Sequence, residues 1–221
     1  MDKKEQLFSL TPHMPGGMTT PAQLKKIAEV AENHNAQALK VTAAQKISIL
    51  GLNKESLAKA REALAIKEEK FIANSVKSIQ VCRGREYCRF GMQNALEMGL
   101  ALDKLYYGME LPARLSIGVS GCGNSCAESW VKDIGLLGKK NGYQIVIGGN
   151  AGKKPRIAKT LFRSKPTEEV LKTIADLIFL YKNAAQENER FAKFIDRATL
   201  SQIKHYLLAD PKEQCEIRTK L

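Results

Sequence analysis

The stretch Gly121-Cys-Gly-Asn-Ser-Cys126 decides how this 221-residue chain is interpreted, because it carries two cysteines separated by three residues. A second pair, Cys82 and Cys88, lies upstream across a gap of 33 residues. Each pair follows a predicted strand, at residues 78–81 and 113–119, and precedes a predicted helix. The partial positive charge of a helix N-terminus favours the thiolate, the form of cysteine that binds metals. A metal centre shared by the two pairs is therefore one hypothesis.

Spacing alone leaves three interpretations of the four cysteines. A structural zinc ion also takes four cysteines, but its pairs are usually separated by two to four residues. The first pair here is separated by five. Iron–sulfur clusters accept more varied spacings, because a cluster is larger than one ion. The third interpretation is that the cysteines bind nothing. The fifth cysteine, Cys215, stands apart, and we expect it to have no role.

Composition and charge narrow the class of protein. The chain has 35 Lys and Arg against 23 Asp and Glu, a net charge of +12, which predicts an anionic partner such as nucleic acid, an anionic cofactor or a small oxyanion. It contains no apolar run of the roughly 20 residues that span a bilayer. The charged start, Met1-Asp-Lys-Lys-Glu-Gln6, lacks the apolar region of a secretory signal. We therefore expect a cytoplasmic protein without a membrane partner, whose thiols stay reduced.

The first part of the chain has the pattern of a small α/β unit. Thr20, followed by Pro21 and Gln23, forms a capping box that predicts a helix with one apolar face. Residues 38–50 are rich in β-branched side chains and predict a strand or a broken pair of strands. Asn53 is a predicted cap for a second helix. That helix is expected over residues 54–65, and the charged stretch at residues 67–70 is a plausible seam between two units.

The second part alternates strands and helices before it becomes helical. A helix is expected from about Tyr87 to Leu105, and another starting between Asn124 and Val131. Residues 143–147 predict a strand that ends in Gly148-Gly149-Asn150. From Thr167 onward, apolar residues at helical spacing predict helices to the end of the chain.

Three motifs together resemble one known family. Gly121–Cys126, then Ile134-Gly-Leu-Leu-Gly138 and Ile147-Gly-Gly-Asn150, are similar to the siroheme and 4Fe-4S half of the sulfite and nitrite reductases. Residues 15–24 with 41–45 resemble the ferredoxin-like half-domain of that family, and residues 189–194 resemble its C-terminal segment. The resemblance implies an α+β fold, with a ferredoxin-like half-domain at residues 1–70. A siroheme and 4Fe-4S α/β domain with C-terminal helices would occupy residues 71–221.

The resemblance also implies roles for individual residues. Cys82, Cys88, Cys122 and Cys126 would bind the 4Fe-4S cluster, with Cys126 bridging it to the siroheme iron. Cofactor contacts would further come from Asn124, Gly149, Asn150, Lys40 and Gln45. The cations that face the substrate oxyanion would be Arg114, Lys46 and Arg83.

Three positions depart from the pattern of the family. The proline after the third cysteine is Gly123, an arginine of the half-domain is Ala44, and the second lysine of a Lys-x-Lys pair is Ser116. Each cation lost from a desolvated site costs about 2–4 kcal/mol of transition-state stabilisation. Lys40, Lys46 and Arg83 are candidates to compensate.

These observations predict a siroheme- and 4Fe-4S-dependent oxidoreductase that reduces sulfite or nitrite by six electrons. No Gly-x-Gly-x-x-Gly fingerprint is present, so the electrons would come from an external ferredoxin-like or flavoprotein donor. The alternative is a non-catalytic Fe-S electron carrier or cofactor-binding protein with a degenerate oxyanion site. A nucleic-acid binder is disfavoured, since only 6% of residues are aromatic. A homodimer and a monomer both stay open as oligomeric states.

Overall fold

The computed structural model describes residues 6–65 and 73–219. The chain divides into two compact units, Met1–Phe71 and Ile72–Leu221. The seam expected at residues 67–70 lies outside the described residues, so the domain boundaries stay a prediction. Each unit is described by itself below.

The first unit is a three-stranded antiparallel sheet with two helices. Its elements are β1 (Phe8–Leu10), α1 (Pro21–Asn33), β2 (Ala38–Val41), β3 (Ile47–Leu52) and α2 (Lys54–Ala63), and the strand order is β1-β3-β2. The expected capping box is confirmed, because the Thr20 hydroxyl accepts from Gln23 N (3.1 Å) while Gln23 Oε1 accepts from Thr20 N (2.9 Å). Asn53 caps α2 by accepting from Ser56 N at 2.8 Å.

The expected break within residues 38–50 is a tight turn between β2 and β3. Thr42 N donates to Lys46 O (2.8 Å), and Lys46 N donates to the Thr42 hydroxyl (3.2 Å). Gln45 occupies the left-handed region at φ 59°. Beyond this turn, Ile49 and Leu52 are fully buried against Ile27 of α1, so this unit has a core of its own.

The second unit is built on a five-stranded mixed sheet. Its first elements are β4 (Val76–Val81), α3 (Gly84–Tyr87), α4 (Ala95–Tyr106), β5 (Leu115–Ser120), β6 (Ile134–Lys139), β7 (Gly142–Ile147) and β8 (Lys159–Lys165). The helices α5 (Thr167–Ala184), α6 (Phe191–Arg197), α7 (Leu200–Leu208) and α8 (Pro211–Thr219) follow. The strand order is β4-β5-β6-β7-β8, in which β4, β5 and β6 are parallel and the remaining pairs are antiparallel. The core joins this sheet to α4 and α5.

One helix prediction in this unit was wrong and another was wrong at its start. The helix expected from Tyr87 to Leu105 is confirmed as α4 but begins only at Ala95, because the amides of Met92 and Gln93 bond to the distant Gly121 carbonyl instead of to a preceding turn. Asn94 then starts α4 by accepting from Glu97 N (3.2 Å). No α-helix starts between residues 124 and 131 in the described structure. The left-handed backbone of Ser125 (φ 57°) and Glu128 (φ 56°) is incompatible with one, and only a short 3-10 helix forms at Ser129–Val131.

The helical end of the chain is confirmed from Thr167 onward. An aromatic cluster fastens α6 to α5, since the rings of Tyr181 and Phe191 meet edge to face with centroids 5.0 Å apart. The Tyr181 hydroxyl donates to Glu189 O at 2.6 Å. Among the described residues, no helix is long and apolar enough to cross a bilayer.

Candidate functional site

The parallel pairing of β4 and β5 brings both cysteine pairs to one edge of the sheet. Val81 at the end of β4 lies opposite Val119 of β5, and Cys82 N donates to Val119 O at 3.0 Å. Carboxyl ends of parallel strands leave a sheet at the same edge, about 4.8 Å apart. Cys82 and Cys122 therefore enter neighbouring loops on that edge.

Gly121 joins these two loops by hydrogen bonds. Its amide donates to the Cys82 sulfur at 3.0 Å, and its carbonyl accepts from Met92 N (2.7 Å) and Gln93 N (3.0 Å). Met92 and Gln93 belong to the segment that follows Cys88. The residue that precedes Cys122 is therefore bonded to both ends of the loop that carries the first pair.

The loops approach this closely because side chains are missing where the backbones meet. A Cβ on Gly121 would lie 2.9 Å from Gln93 O, and a Cβ on Gly138 of β6 would lie 2.1 Å from Gly121 O. Sequence reasoning treated these glycines only as part of a motif. The two glycines within the strand segment Gly135-Leu-Leu-Gly138 were the available signal that other backbone segments approach β6 closely.

Two buried serines hold the loop that carries the second pair. The Ser120 hydroxyl accepts from Ala127 N (3.1 Å) and lies 2.9 Å from the Ser129 hydroxyl, which donates to Leu136 O at 3.0 Å. These bonds close the loop between residues 120 and 129. The expected helix after the second pair is wrong, since no α-helix directly follows Cys126. After Cys82 a helix does begin, but it is the four-residue α3. In the loop between residues 120 and 129, the serine hydrogen bonds and the left-handed residues Ser125 and Glu128 set the conformation that a helix was expected to set.

The four cysteines differ in exposure. Cys122 is buried, Cys82 and Cys88 are half-buried, Cys126 is exposed, and none of them forms a disulfide. Within residues 6–65 and 73–219, no group of three or more His, Cys, Asp or Glu has the arrangement of a single-ion site. A 4Fe-4S cluster sets its thiolates farther apart, because each binds a different iron. The donor set and the adjacent loops thus fit a cluster, and ligation by these four residues stays a prediction.

The predicted oxyanion cations are not brought together by the second unit. Arg83 is exposed beside Cys82, whereas Arg114 precedes β5 at the opposite end from Cys122. The six residues of β5 separate those ends by about 20 Å at ~3.3 Å per residue. The third predicted cation, Lys46, belongs to the first unit. The catalytic role of all three stays a prediction.

Ser116, which stands where the family has a lysine, is engaged by a buried carboxylate. Asp133, with 2% of its surface exposed, accepts from Ser116 N (2.8 Å) and from the Ser116 hydroxyl (2.7 Å) through Oδ2. Its Oδ1 lies 3.6 Å from the Arg190 guanidinium and accepts no hydrogen bond within the described part of the chain. Burial raises the pKa of Asp133, and the Ser116 bond and Arg190 offset part of that rise. The sequence did not predict a role for Asp133, because a single Asp directly before a strand has no distinctive pattern.

The predicted cofactor contacts of the second unit have local roles as well. A Cβ on Gly149 would lie 2.5 Å from Lys132 O, so this glycine makes room for the neighbouring backbone. Asn150 closes its own loop, since its side chain accepts from Gly152 N and donates to Lys154 O, each at 3.1 Å. Asn124 is exposed next to Cys122. Cofactor binding by Asn124, Gly149 and Asn150 stays a prediction.

The predicted residues of the first unit gather on the β2–β3 hairpin. Lys40 is exposed in β2, and Ala44, Gln45 and Lys46 lie in the following turn. A Cβ on Gly17 would meet the Gln45 side chain at 2.8 Å, so the two stretches that resemble the half-domain touch. A cavity of about 480 Å³ lies beside α1. It is lined by Pro12, His13, Met14, Pro15, Met18, Thr19, Gln23, Lys26, Ile27, Leu64 and Ala65.

Comparison with known families agrees with this arrangement. The model of the nitrite and sulphite reductase 4Fe-4S domain matches residues 72–214, and that of the nitrite/sulfite reductase ferredoxin-like half domain matches residues 1–65. The chain therefore belongs to the nitrite and sulfite reductase family, and the expected α+β fold is confirmed.

Two relatives show how far the likeness extends. The chain is 32% identical over 219 residues to the NAD(P)H nitrite reductase of Bacillus subtilis (strain 168), covering 99% of this chain and 27% of that protein. It is 29% identical over 208 residues to the assimilatory-type sulfite reductase of Nitratidesulfovibrio vulgaris, covering 94% of this chain and 95% of that protein. The chain thus spans about a quarter of the first relative and nearly all of the second.

Solved structures share the fold at low sequence identity. The Mycobacterium tuberculosis NirA protein aligns with a TM-score of 0.76 and 13% identity over 91% of this chain and 39% of its own. Dissimilatory sulfite reductase I aligns with a TM-score of 0.77 and 12% identity, over 93% of this chain and 70% of its own chain. At such identities the likeness concerns the fold.

The close approach of β6 to Gly121 generates a first prediction. We expect Gly138→Ala to destabilise the protein by about 3 kcal/mol, because the new methyl group would overlap the Gly121 carbonyl. Gly123→Ala is the matched control, since its Cβ would meet nothing within 4 Å, and it should change stability by less than about 0.5 kcal/mol. Urea unfolding followed by circular dichroism measures both, and equal stability of the two variants would contradict the described packing.

The raised pKa of Asp133 generates a second prediction. The folded chain binds this proton more tightly than the unfolded chain, whose Asp pKa is about 3.9. The free energy of unfolding should therefore fall as pH rises from about 4 through the folded pKa, and Asp133→Asn should flatten that slope.

Asp196 supplies the control for this pH dependence. Arg156 lowers the pKa of Asp196 to about 2, so Asp196→Asn should lower stability by a constant amount between about pH 5 and 7.5. Urea titrations across that range compare the variants. A wild-type slope that Asp133→Asn leaves unchanged would show that Asp133 is ionised throughout.

Proposed function

We propose that this chain binds a 4Fe-4S cluster through Cys82, Cys88, Cys122 and Cys126, binds siroheme next to Cys126, and reduces sulfite or nitrite to its six-electron product. The observation that supports this most is the position of Gly121, whose amide bonds to the Cys82 sulfur while its carbonyl holds the segment after Cys88. Two pairs that lie far apart in the chain thereby share one edge of the sheet. The family model that matches this unit describes a 4Fe-4S domain.

The residues around the cysteines suit such cofactors. When bound, the cluster and siroheme supply electrons one at a time, which no side chain can do. Siroheme carries eight carboxylates, so its binding requires cations and amide donors, and the net charge of +12 is of the required sign. The exposed Cys126 is accessible to a large ligand, whereas Cys122 is buried on the protein side. Arg83 would hold substrate or cofactor oxygens beside Cys82.

The remaining predicted residues complete the proposal. Asn124, Gly149, Asn150, Lys40 and Gln45 would contact siroheme, and Arg114 and Lys46 would face the oxyanion. Relatives named for nitrite and for sulfite match the chain about equally well, so both anions are retained. We keep an external electron donor and a possible homodimer as further parts of the proposal. A reducing compartment such as the cytoplasm suits a chain whose five cysteines are all free.

A third prediction tests cluster ligation. We expect protein purified anaerobically to contain about five iron and four sulfide per chain, because the cluster contributes four of each and siroheme one further iron, with visible absorption bands of siroheme. Cys88→Ser should lose cluster iron and sulfide, and Cys126→Ser should lose siroheme as well.

The control for these variants is Cys215→Ser, because Cys215 is exposed on α8 and outside the proposed ligand set. It should retain full iron, sulfide and absorbance. Stoichiometric zinc in iron-free wild-type protein, or full cluster content in Cys88→Ser, would contradict the proposal.

A second candidate function is a non-catalytic electron carrier or cofactor-binding protein. It is favoured by the bonds that tie Ser116 to the buried Asp133, which leave no cation at that position. Ala44 lacks a charge as well, and Arg114 lies at the end of β5 away from Cys122. An oxyanion site that lacks two cations would bind its transition state weakly.

A fourth prediction separates the two functions. With full cofactor loading and reduced methyl viologen as donor, we expect wild-type protein to consume sulfite or nitrite, and Ala44→Arg to raise kcat/KM by about 30-fold or more, because one cation is worth about 2–4 kcal/mol. The exposed neighbour Ala43→Arg is the control and should leave kcat/KM unchanged. No turnover in wild type and Ala44→Arg, both fully loaded, would favour the carrier.

A further inference from the structure

An exposed apolar surface surrounds one of the proposed cluster ligands. Tyr87, Phe90 and Met92 have 65%, 54% and 50% of their surfaces exposed, although the large apolar side chains of the nearby strands are buried. All three lie within four residues of Cys88. We call Tyr87, Phe90, Met92 and the adjoining Arg89 and Lys140 the Cys88 surface.

The backbone presents this surface in a fixed conformation. Gly91 N donates to Cys88 O at 2.8 Å, which closes a turn directly after the cysteine. A Cβ on Gly91 would lie 2.5 Å from Arg85 Cα, so the turn packs tightly against α3. The Arg89 guanidinium lies 4.6 Å from the centroid of the Phe90 ring, a cation–π contact that orients the ring at the surface.

The rim of the Cys88 surface is positively charged. Arg83, Arg85 and Arg89 are all exposed along this segment. The exposed Lys140 adjoins it, since Gln93 Nε2 donates to the carbonyls of Lys139 (2.8 Å) and Lys140 (3.4 Å). The one acidic side chain of α3, Glu86, accepts a hydrogen bond from the neutral amide of Asn94 and keeps its charge, but the arginines of this segment outnumber it. An apolar centre with a cationic rim matches a partner that has an apolar centre and an acidic rim.

We propose that the Cys88 surface is the docking site of an acidic one-electron carrier protein, which delivers electrons to the cluster at its Cys88 corner. The inference rests on the proposed function. If Cys126 faces siroheme, a donor protein would approach the cluster from another ligand. Cys122 is buried, whereas Cys82 and Cys88 are both half-buried, and it is Cys88 that the exposed apolar side chains surround. A small apolar centre with a charged rim is also typical of transient electron-transfer encounters, which must form and dissociate at each electron.

A fifth prediction tests this surface with a reduced acidic [2Fe-2S] ferredoxin of the plant type as donor. Phe90→Ser and Lys140→Glu should each raise the apparent KM for ferredoxin by about tenfold, the change produced by losing one central or charged contact. Neither should alter turnover with methyl viologen, which is small and needs no docking surface. Lys140→Glu should also weaken the dependence of the ferredoxin KM on ionic strength.

The C-terminal part of α5, which lies away from the Cys88 surface, provides matched controls. Phe179 is 50% exposed and lies under Arg218 (5.1 Å), as Phe90 lies under Arg89, and Lys182 is an exposed lysine one turn further. Thr167 at the start of α5 contacts Gln93, so Phe179 is about 18 Å along the helix from this surface at ~1.5 Å per residue. Phe179→Ser and Lys182→Glu should leave the ferredoxin KM unchanged.

Binding of oxidised ferredoxin, measured by calorimetry on the loaded variants, makes the test independent of turnover. Weaker binding by Phe90→Ser than by Phe179→Ser supports the docking site even if the protein reduces no oxyanion, in which case only the proposed catalysis fails. Equal binding by all variants overturns the docking site. Loss of siroheme absorbance in Phe90→Ser also overturns it and assigns the surface to the cofactor.

Discussion

The parallel pairing of β4 with β5 is the constraint on which the rest of the site depends. It sends two loops from neighbouring strand ends, and Gly121 fastens one loop to the other through three hydrogen bonds. Because Gly121 and Gly138 carry no side chains, the backbones of three elements meet where any methyl group would overlap. The two loops that carry the four cysteines, which are separated by up to 44 positions in sequence, thereby leave the sheet at one edge.

The parts of the fold that sequence predicts well are those with local causes. Thr20 and Asn53 cap helices through bonds to residues three positions later, so their patterns are visible in a few letters. The break after Cys88 was missed because Met92 and Gln93 bond to Gly121, nearly 30 residues away. The turn at Ser125 was missed because its left-handed backbone is fixed by the Ser120 and Ser129 bonds. Long-range hydrogen bonds leave no periodic signature.

The candidate site likewise has a part that sequence predicts, the cysteines, and a part that it does not, the position of the oxyanion cations. The cysteines were identified from spacing and family likeness, and the fold gives their loops a common location. The oxyanion cations depend on where side chains reach, which spacing does not determine: Arg114 and Ser116 precede Cys122 closely in sequence, yet β5 carries them to its other end. Ser116 illustrates the consequence, since the residue that replaces a lysine is bonded to the carboxylate of Asp133. The effect of a residue that departs from the family pattern can therefore be judged only when the structure shows which side chains it contacts.

The most direct measurement is an anaerobic crystal structure with anomalous difference maps on both sides of the iron absorption edge. The account predicts one compact iron peak bounded by the loop from Cys82 to Cys88 and the loop from Cys122 to Cys126, with all four sulfurs in contact with it. Sulfurs too widely separated to share a centre, iron located elsewhere, or a zinc signal in the same place would contradict it.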